Sequence, residues 1–520
     1  MLASLVHPGL LSVVAPRLID ADIPSELSGE NKGQMKTTVT LALLLILCAL
    51  PTARSQPKLK QNILAISNVT VIDATGAPAK PNMTVVVTGD RITEIAPTEK
   101  AAIPKKAQII DGKGKFVIPG LWDMHVHTVF KGLPETYFPL FIANGVTGVR
   151  DMAALDVGFL KQLQKDVNEG RRIGPRIVAG KMVDGPIPIW PGVPISISDE
   201  ASARQAVATV KDSGLDFIKV YSLVPRQAYF ALADEAKKLR IPFAGHVPFF
   251  VTATEASDAG QKSIEHLEGV LLACSTEEPE LRKALEAAVK DAKDTDQIRT
   301  LGVRVLRQTE IRAYETYSHE KAAALFKRFA ANGTWQAPTL VVQRAVAFLD
   351  DSEFTNDPRL KYVRRGIRDE WKNQDDWRLK SITPESSALY KRMFQQRLET
   401  ISAMHRAGVK ILAATDALVW YVIPGFSLHD ELELFVKAGL TPMEALQTAT
   451  RNPAIYLGLT DTLGTAEQGK KADLVLLEAN PLENISNTKR INAVIVNGRL
   501  IQRDSLDKML KEAEAAANKN

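Results

Sequence analysis

The run Gly120-Leu121-Trp122-Asp123-Met124-His125-Val126-His127 places two imidazoles two positions apart on an apolar stretch. Side chains alternate along a strand, so His125 and His127 point the same way, one layer apart. Neutral imidazole is a common ligand for zinc and similar ions. Two further histidines close short apolar runs. His246 follows Ile241-Pro242-Phe243-Ala244-Gly245, and His266 follows Ser263-Ile264-Glu265. Any one of these reads most simply as a satisfied core histidine, but four at the ends of three strands point to metal. Lys219 interrupts an apolar strand, Asp216-Phe217-Ile218-Lys219-Val220-Tyr221. An ammonium inside a barrel wall among cations is very unfavourable, so a neutral amine is expected there. Such an amine adds carbon dioxide to give an anionic carbamate able to bridge two metals. Asp416 ends Leu412-Ala413-Ala414-Thr415-Asp416 and suits a ligand that also carries protons. No Ser-His-Asp or Cys-His arrangement competes, and no glycine-rich phosphate loop is present.

These residues need a scaffold that gathers strand ends. Residues 118–459 alternate short apolar runs with helical stretches, and strand candidates end at His127, Asp151, Gly180, Tyr221, Val247, Leu267, Val342 and Asp416. Such alternation implies an α/β parallel sheet, most economically closed as a (β/α)8 TIM barrel whose active site lies at the C-terminal strand ends. The long interval from His266 to Asp416 has room for more than its two strands, which predicts a helical insertion over about 270–400. Thr441-Pro442-Met443-Glu444 reads as a helix start. Residues 56–117 and 460–505 have a different texture, with short strands and turns at Gly89-Asp90 and Asn497-Gly498. One composite β-sandwich built from both ends is expected, followed by a solvated helical tail over 506–520.

The 520 residues are 45% hydrophobic and 24% charged, close to a soluble globular average. That excludes a disordered, collagen-like or membrane-spanning chain as the overall description. The net charge of +5 comes without a basic block interleaved with aromatics, so no nucleic-acid partner is expected. Residues 1–34 read as an upstream extension and 35–55 as a secretory signal peptide. Met35-Lys36 is followed by an apolar run over 39–50 and by Ala53-Arg54-Ser55 before Gln56. The apolar run falls well short of the roughly 20 residues a spanning helix needs. The expected mature chain is secreted or periplasmic, has no membrane span, and keeps Cys274 alone, so it forms no internal disulfide.

Taken together, the chain resembles the amidohydrolase superfamily, and within it the prolidase-like, imidazolonepropionase-related branch. The resemblance rests on 117–127, Gly145-Val146-Thr147-Gly148-Val149-Arg150-Asp151, 216–221, Gly245-His246, Ile264-Glu265-His266, Ala414-Thr415-Asp416, Leu428-His429-Asp430-Glu431-Leu432, 438–442 and 469–474. It implies a binuclear centre of divalent ions, usually zinc. His125, His127 and Asp416 would hold one ion, His246 and His266 the other, with carboxylated Lys219 bridging. A hydroxide between the metals would attack the scissile carbonyl, and Asp416 would pass the water's proton to the leaving nitrogen. The implied substrate is a small molecule, an acyl-amino acid or a dipeptide. Tyr221 and His429 are the candidate substrate contacts, and Arg150 a candidate aid to Tyr221 in holding a carboxylate, although Arg150 and Asp151 fit a role in the fold better. The loop Asp184-Gly185-Pro186-Ile187-Pro188-Ile189-Trp190 departs from the branch's usual glycine- and histidine-rich loop, with Trp190 a candidate pocket wall. Two other readings remain: a cyclic amide hydrolase like imidazolonepropionase, which uses one metal and lacks the bridging lysine, and a non-catalytic exported binding protein. Oligomeric state is left open, a homo-oligomer included.

Overall fold

In a computed structural model, residues 62–372 and 383–519 are described. The expected upstream extension, signal peptide and cleavage point lie outside the described residues. Among the described residues, five strands come first: β1 (Ile63–Val71), β2 (Lys80–Thr88), β3 (Arg91–Pro97), β4 (Gln108–Asp111) and β5 (Phe116–Pro119). Eight follow in the middle: β6 (Leu121–Val126), β7 (Val146–Asp151), β8 (Arg176–Asp184), β9 (Ile195–Ser196), β10 (Phe217–Val220), β11 (Phe243–Gly245), β12 (Ser263–Glu265) and β13 (Trp335–Ala337). Three close the chain: β14 (Leu474–Leu477), β15 (Ile491–Val496) and β16 (Arg499–Gln502).

Both chain ends build one sheet, in the order β16-β15-β14-β5-β1-β2-β3, with β4 on β1. The join is β14 against β5, antiparallel, pairing Leu474 with Pro119 and Leu477 with Phe116. Alternation makes this sheet two-sided. Leu474 and Leu476 enter the sheet's own core, while Val475 and Leu477 enter the main core. The turns Gly89-Asp90 and Asn497-Gly498 connect antiparallel partners, Thr88 with Arg91 and Val496 with Arg499. A side chain at Gly498 would start 1.7 Å from the Gly89 carbonyl oxygen, so the two turns can stack only with glycine there.

The middle strands form a parallel sheet in the order β13-β12-β11-β10-β8-β7-β6, with β9 on β8. These strands are buried on both faces, hence their near-continuous apolar runs. Two expectations about these strands need correction. The eighth strand is no regular strand: residues 410–417 close the barrel by isolated parallel bridges, Gln336 with Ile411 and Val126 with Ala417. The strand expected to end at Val342 is instead β13, and Leu340–Ala347 is a helix. Thr339 at φ 47° ends the extended run, and the Glu431 carboxylate accepts from the Leu340 and Val341 amides at 2.9 and 2.8 Å. Side-chain acceptors for the first free amides favour a helix over further strand.

Between β12 and β13 lie helices Glu278–Asp291, Thr295–Glu315 and His319–Asn332, and Pro384–Arg406 precedes the closing segment. The helix start at Thr441 is a reciprocal capping box. Glu444 N donates to Thr441 Oγ1 at 3.3 Å and Thr441 N to Glu444 Oε2 at 2.8 Å. The C-terminal helix Arg503–Ala517 is not free in solvent as expected. It packs on Pro134–Ala143, burying Leu506, Ala513 and Ala517.

Candidate metal centre

The sequence-derived ligands meet at one end of the barrel, on the C-terminal side of its strands. His127 follows β6, Lys219 lies in β10, His246 follows β11, His266 follows β12, and Asp416 ends the closing segment. Each is at most 3% exposed. Asp416 lies between three imidazoles: its Oδ1 is 3.3 Å from His125 Nε2 and 3.2 Å from His127 Nε2, and its Oδ2 is 3.9 Å from His266 Nδ1. His125, His266 and Asp416 each offer a ligand atom within 4.8 Å of the others. The His246 ring lies 5.0 Å from that of His266.

Several of these atoms have no hydrogen-bond partner although buried: His125 Nε2, His246 Nε2, Lys219 Nζ and both Asp416 oxygens. Buried polar atoms are nearly always paired, so a convergent group of orphans is the signature of a site that holds something. The outer nitrogens of the same rings are engaged. His125 Nδ1 meets Glu265 Oε2 at 2.9 Å, His246 Nδ1 meets Ser222 Oγ at 2.7 Å, and His266 Nδ1 meets Thr339 Oγ1 at 2.8 Å. Glu265 as a carboxylate can only accept, so His125 carries its proton on Nδ1 and leaves the Nε2 lone pair free. Burial holds His125, His246 and His266 well below the ordinary imidazole range, with the Lys219 charge adding to the effect. All three are therefore neutral, the state in which imidazole binds metal. Donor types, burial and second-nitrogen partners all fit a divalent ion.

Lys219 has its pKa lowered to about 8, chiefly by desolvation and against the pull of Glu265 and Asp416. Room for its stem depends on Gly245. A side chain there would begin 2.2 Å from the Val220 carbonyl oxygen and 2.8 Å from Lys219 Cδ. Backbone strain accompanies the site: His266 and Asp416 sit at φ 62° and 61°, in the left-handed region that side chains seldom adopt.

Two acidic residues that sequence reasoning left without a role support this cluster, and a third lies beside it. Glu265 accepts two hydrogen bonds from Arg150 Nη2, both 2.9 Å, and one from Ser263 Oγ at 2.6 Å, besides the bond with His125. Asp123 accepts from Thr415 Oγ1 at 2.5 Å and Thr415 N at 3.0 Å, tying β6 to the residue before Asp416. Glu268, 2% exposed, lies 3.9 Å from His246 Nδ1. The signal for Glu265 and Asp123 was available: each is an acid within a short, fully buried barrel strand, much as Lys219 is a base within one.

The other candidates separate. The Tyr221 ring lies 4.2 Å from that of His246, and its hydroxyl accepts from Trp190 Nε1 at 3.2 Å. Trp190 is walled in by the Arg299 guanidinium, 4.9 Å from the indole, so the insertion helix Thr295–Glu315 braces this loop. Arg150 is committed to Glu265, Met124 O, Ser263 and Tyr456, and its guanidinium is no carboxylate anchor at the mouth. Asp151 accepts from the Thr128, Val129 and Ala153 amides and fixes the turn after β6. His429 is corrected as a substrate contact. Its Nδ1 is bonded to Thr488 Oγ1 at 3.0 Å and its Nε2 to Asn144 O at 3.1 Å, so both nitrogens join helix Phe426–Lys437 to its neighbours.

A family model described as "Amidohydrolase family" matches residues 116–501, which contain every ligand candidate. Ochratoxinase of Aspergillus niger is 32% identical over 126 residues, 23% of this chain and 25% of that protein. Imidazolonepropionase of Sphingopyxis alaskensis is 39% identical over 92 residues, 17% of this chain and 22% of that protein. The matched stretch thus spans about a quarter of each curated relative. A solved structure of a putative prolidase from Bifidobacterium longum superposes with a TM-score of 0.59 at 25% identity, covering 87% of this chain and 99% of that one. Among the described residues, no helix is long and apolar enough to cross a membrane.

Proposed function

The chain belongs to the amidohydrolase family, and from that premise we propose that it is an exported, metal-dependent hydrolase cleaving the amide bond of dipeptides and small acyl-amino acids. The observation that carries this reading is the convergence of His125 Nε2, His246 Nε2, Lys219 Nζ and Asp416 Oδ1 and Oδ2, all buried and without hydrogen-bond partners. His125, His127 and Asp416 would hold one divalent ion, His246 and His266 would hold a second, and Lys219, carboxylated by carbon dioxide, would supply an anionic ligand to the pair. Zinc suits such a nitrogen- and oxygen-donor set. Bound there, the ions supply Lewis acidity at the scissile carbonyl and acidify water.

The chain's own part is placement and proton transfer. Asp416, gathered among three imidazoles, accepts the attacking water's proton and delivers it to the leaving nitrogen. Glu265 and Asp123 keep His125 and the Asp416 segment in register, so the reacting groups need little rearrangement. Tyr221, against His246, binds the substrate's free carboxylate, and Trp190 bounds that side of the pocket. The prolidase likeness supports a dipeptide substrate, and the amidohydrolase family match supports hydrolysis of an amide. Lys219 speaks against the cyclic-amide alternative, since its orphaned amine has a use only in the bridged pair.

Metal analysis and hydrolysis assays on one purified sample test the proposal. Two ions per chain with cleavage of dipeptides or acyl-amino acids is the expected result. A chain that binds no metal and cleaves neither class overturns it. Lys219→Ala should lose the metal pair, and metal-stripped protein should recover activity far better with bicarbonate present. Recovery unaffected by bicarbonate would remove the carbamate from the scheme.

A further inference from the structure

Next to the metal cluster, a cavity with about 570 Å3 of unfilled space, part of it open to solvent, runs from His266 and Glu268 into the helical insertion. Its sides are apolar, formed by Leu267, Leu272, Leu285, Leu306 and Ala313, and its far end is polar, where Arg397 Nη2 donates to Glu310 Oε1 at 3.3 Å. At the inner end sits Glu268, whose two carboxylate oxygens are buried and close no hydrogen bond of good geometry. Even with the Ser222 hydroxyl beside it turned inward, its two oxygens keep acceptor positions open to a donor. A buried acid of this kind needs a donor to satisfy it. Nothing in the metal scheme above uses Glu268.

We propose that this cavity is the aminoacyl subsite: it receives an apolar N-terminal residue whose free α-ammonium group donates to Glu268 while the adjoining carbonyl lies at the metal cluster. The proposal rests on the amide-hydrolase reading and narrows it, from acyl-amino acids and dipeptides alike to dipeptides with an unblocked amine. The geometry supports the order of groups. The cavity meets the cluster at His266, and Glu268 lies two residues past it, so an ammonium on Glu268 sits at the cavity's inner end, with the side chain directed along the leucine-lined walls. An N-acetyl group would remove the charge and place a carbonyl oxygen against the carboxylate.

The holoenzyme should be assayed on leucyl-glycine, glycyl-glycine and N-acetyl-leucyl-glycine, with metal content measured on the same samples. A charge-assisted hydrogen bond predicts leucyl-glycine cut at least about tenfold faster in kcat/KM than its N-acetyl form. Glu268→Gln should bring that ratio close to one, mostly through KM, with metal content unchanged. Leu306→Phe, filling the cavity, should narrow the preference for leucyl-glycine over glycyl-glycine while leaving the acetyl discrimination intact. Equal cleavage of free and acetylated substrates, or an unchanged ratio in Glu268→Gln, overturns the subsite while leaving the hydrolase reading standing. Failure to cleave all three substrates overturns both.

Discussion

Replacing Glu265 by Gln separates what holds the barrel together from what prepares His125 for a metal. Arg150 and Glu265 are both fully buried, joined by two 2.9 Å hydrogen bonds. Removing one charge of such a pair leaves the other uncompensated in the interior, at a cost of about 3–5 kcal/mol. The same change takes from His125 Nδ1 the carboxylate that sets its tautomer, and loss of such an outer partner lowers metal affinity by about 10–100-fold. A second variant, Glu265→Met with Arg150→Met, discriminates between the two effects. Removing both charges relieves the burial penalty, so the urea midpoint of the metal-free protein should return at least halfway. Full return is not expected, because Met124 O loses the Arg150 Nε donor, worth about 1–3 kcal/mol. Metal affinity, measured by titration, should stay low, since His125 still lacks its acceptor. The reasoning fails if Glu265→Gln unfolds at the wild-type midpoint, or if the double variant regains metal affinity together with stability.

Other perturbations give distinct readouts. Tyr221→Phe should reduce the preference for substrates with a free carboxylate over their amide-capped forms, a gap of about ten- to a hundredfold, with metal content unchanged; equal hydrolysis of capped and free substrates by the wild type would refute the contact. His429→Ala should lower the melting temperature, because the Thr488 hydroxyl and the Asn144 carbonyl lose their partner, yet leave kcat/KM near wild type; a large kinetic loss in a folded variant would restore it to the site. Gly245→Ala should cost folded yield and metal content together, since its new Cβ meets Val220 O and Lys219 Cδ; normal metal loading would show that β11 can shift. Burial raises the Asp184 pKa to about 7, so between about pH 4 and 7 the folded state keeps a proton that the unfolded chain releases. Stability should therefore fall as pH rises through that window, by at most about 1.4 kcal/mol per pH unit from this group, and Asp184→Asn should flatten the decline seen by chemical denaturation.

Much of the centre was legible in the sequence because its signals are local. His125 and His127 share a face by strand alternation, Lys219 stands out as a charge in an apolar strand, and Gly245-His246 and Glu265-His266 mark strand ends. Barrel strands must be apolar on both sides, so a polar residue within them is conspicuous before any coordinates exist. The hairpin turns and the capping box at Thr441 are equally local, each needing only a few neighbouring residues. What tertiary structure decided depends on partners far apart in the chain. Thr339 and Glu431, distant in sequence, turn an apolar run that reads as strand into a helix. His429 carries the same imidazole as the candidate ligands, and only the positions of Thr488 and Asn144 show that both of its nitrogens are occupied. Arg150 could face a substrate or a core acid until Glu265, 115 residues later, is seen to take its charge. Glu268 is one acid among many in the sequence; its burial beside His266 and the leucine-lined cavity distinguishes it. Residue type and short spacing are written along the chain, but whether a polar atom is satisfied is set by what the fold brings next to it.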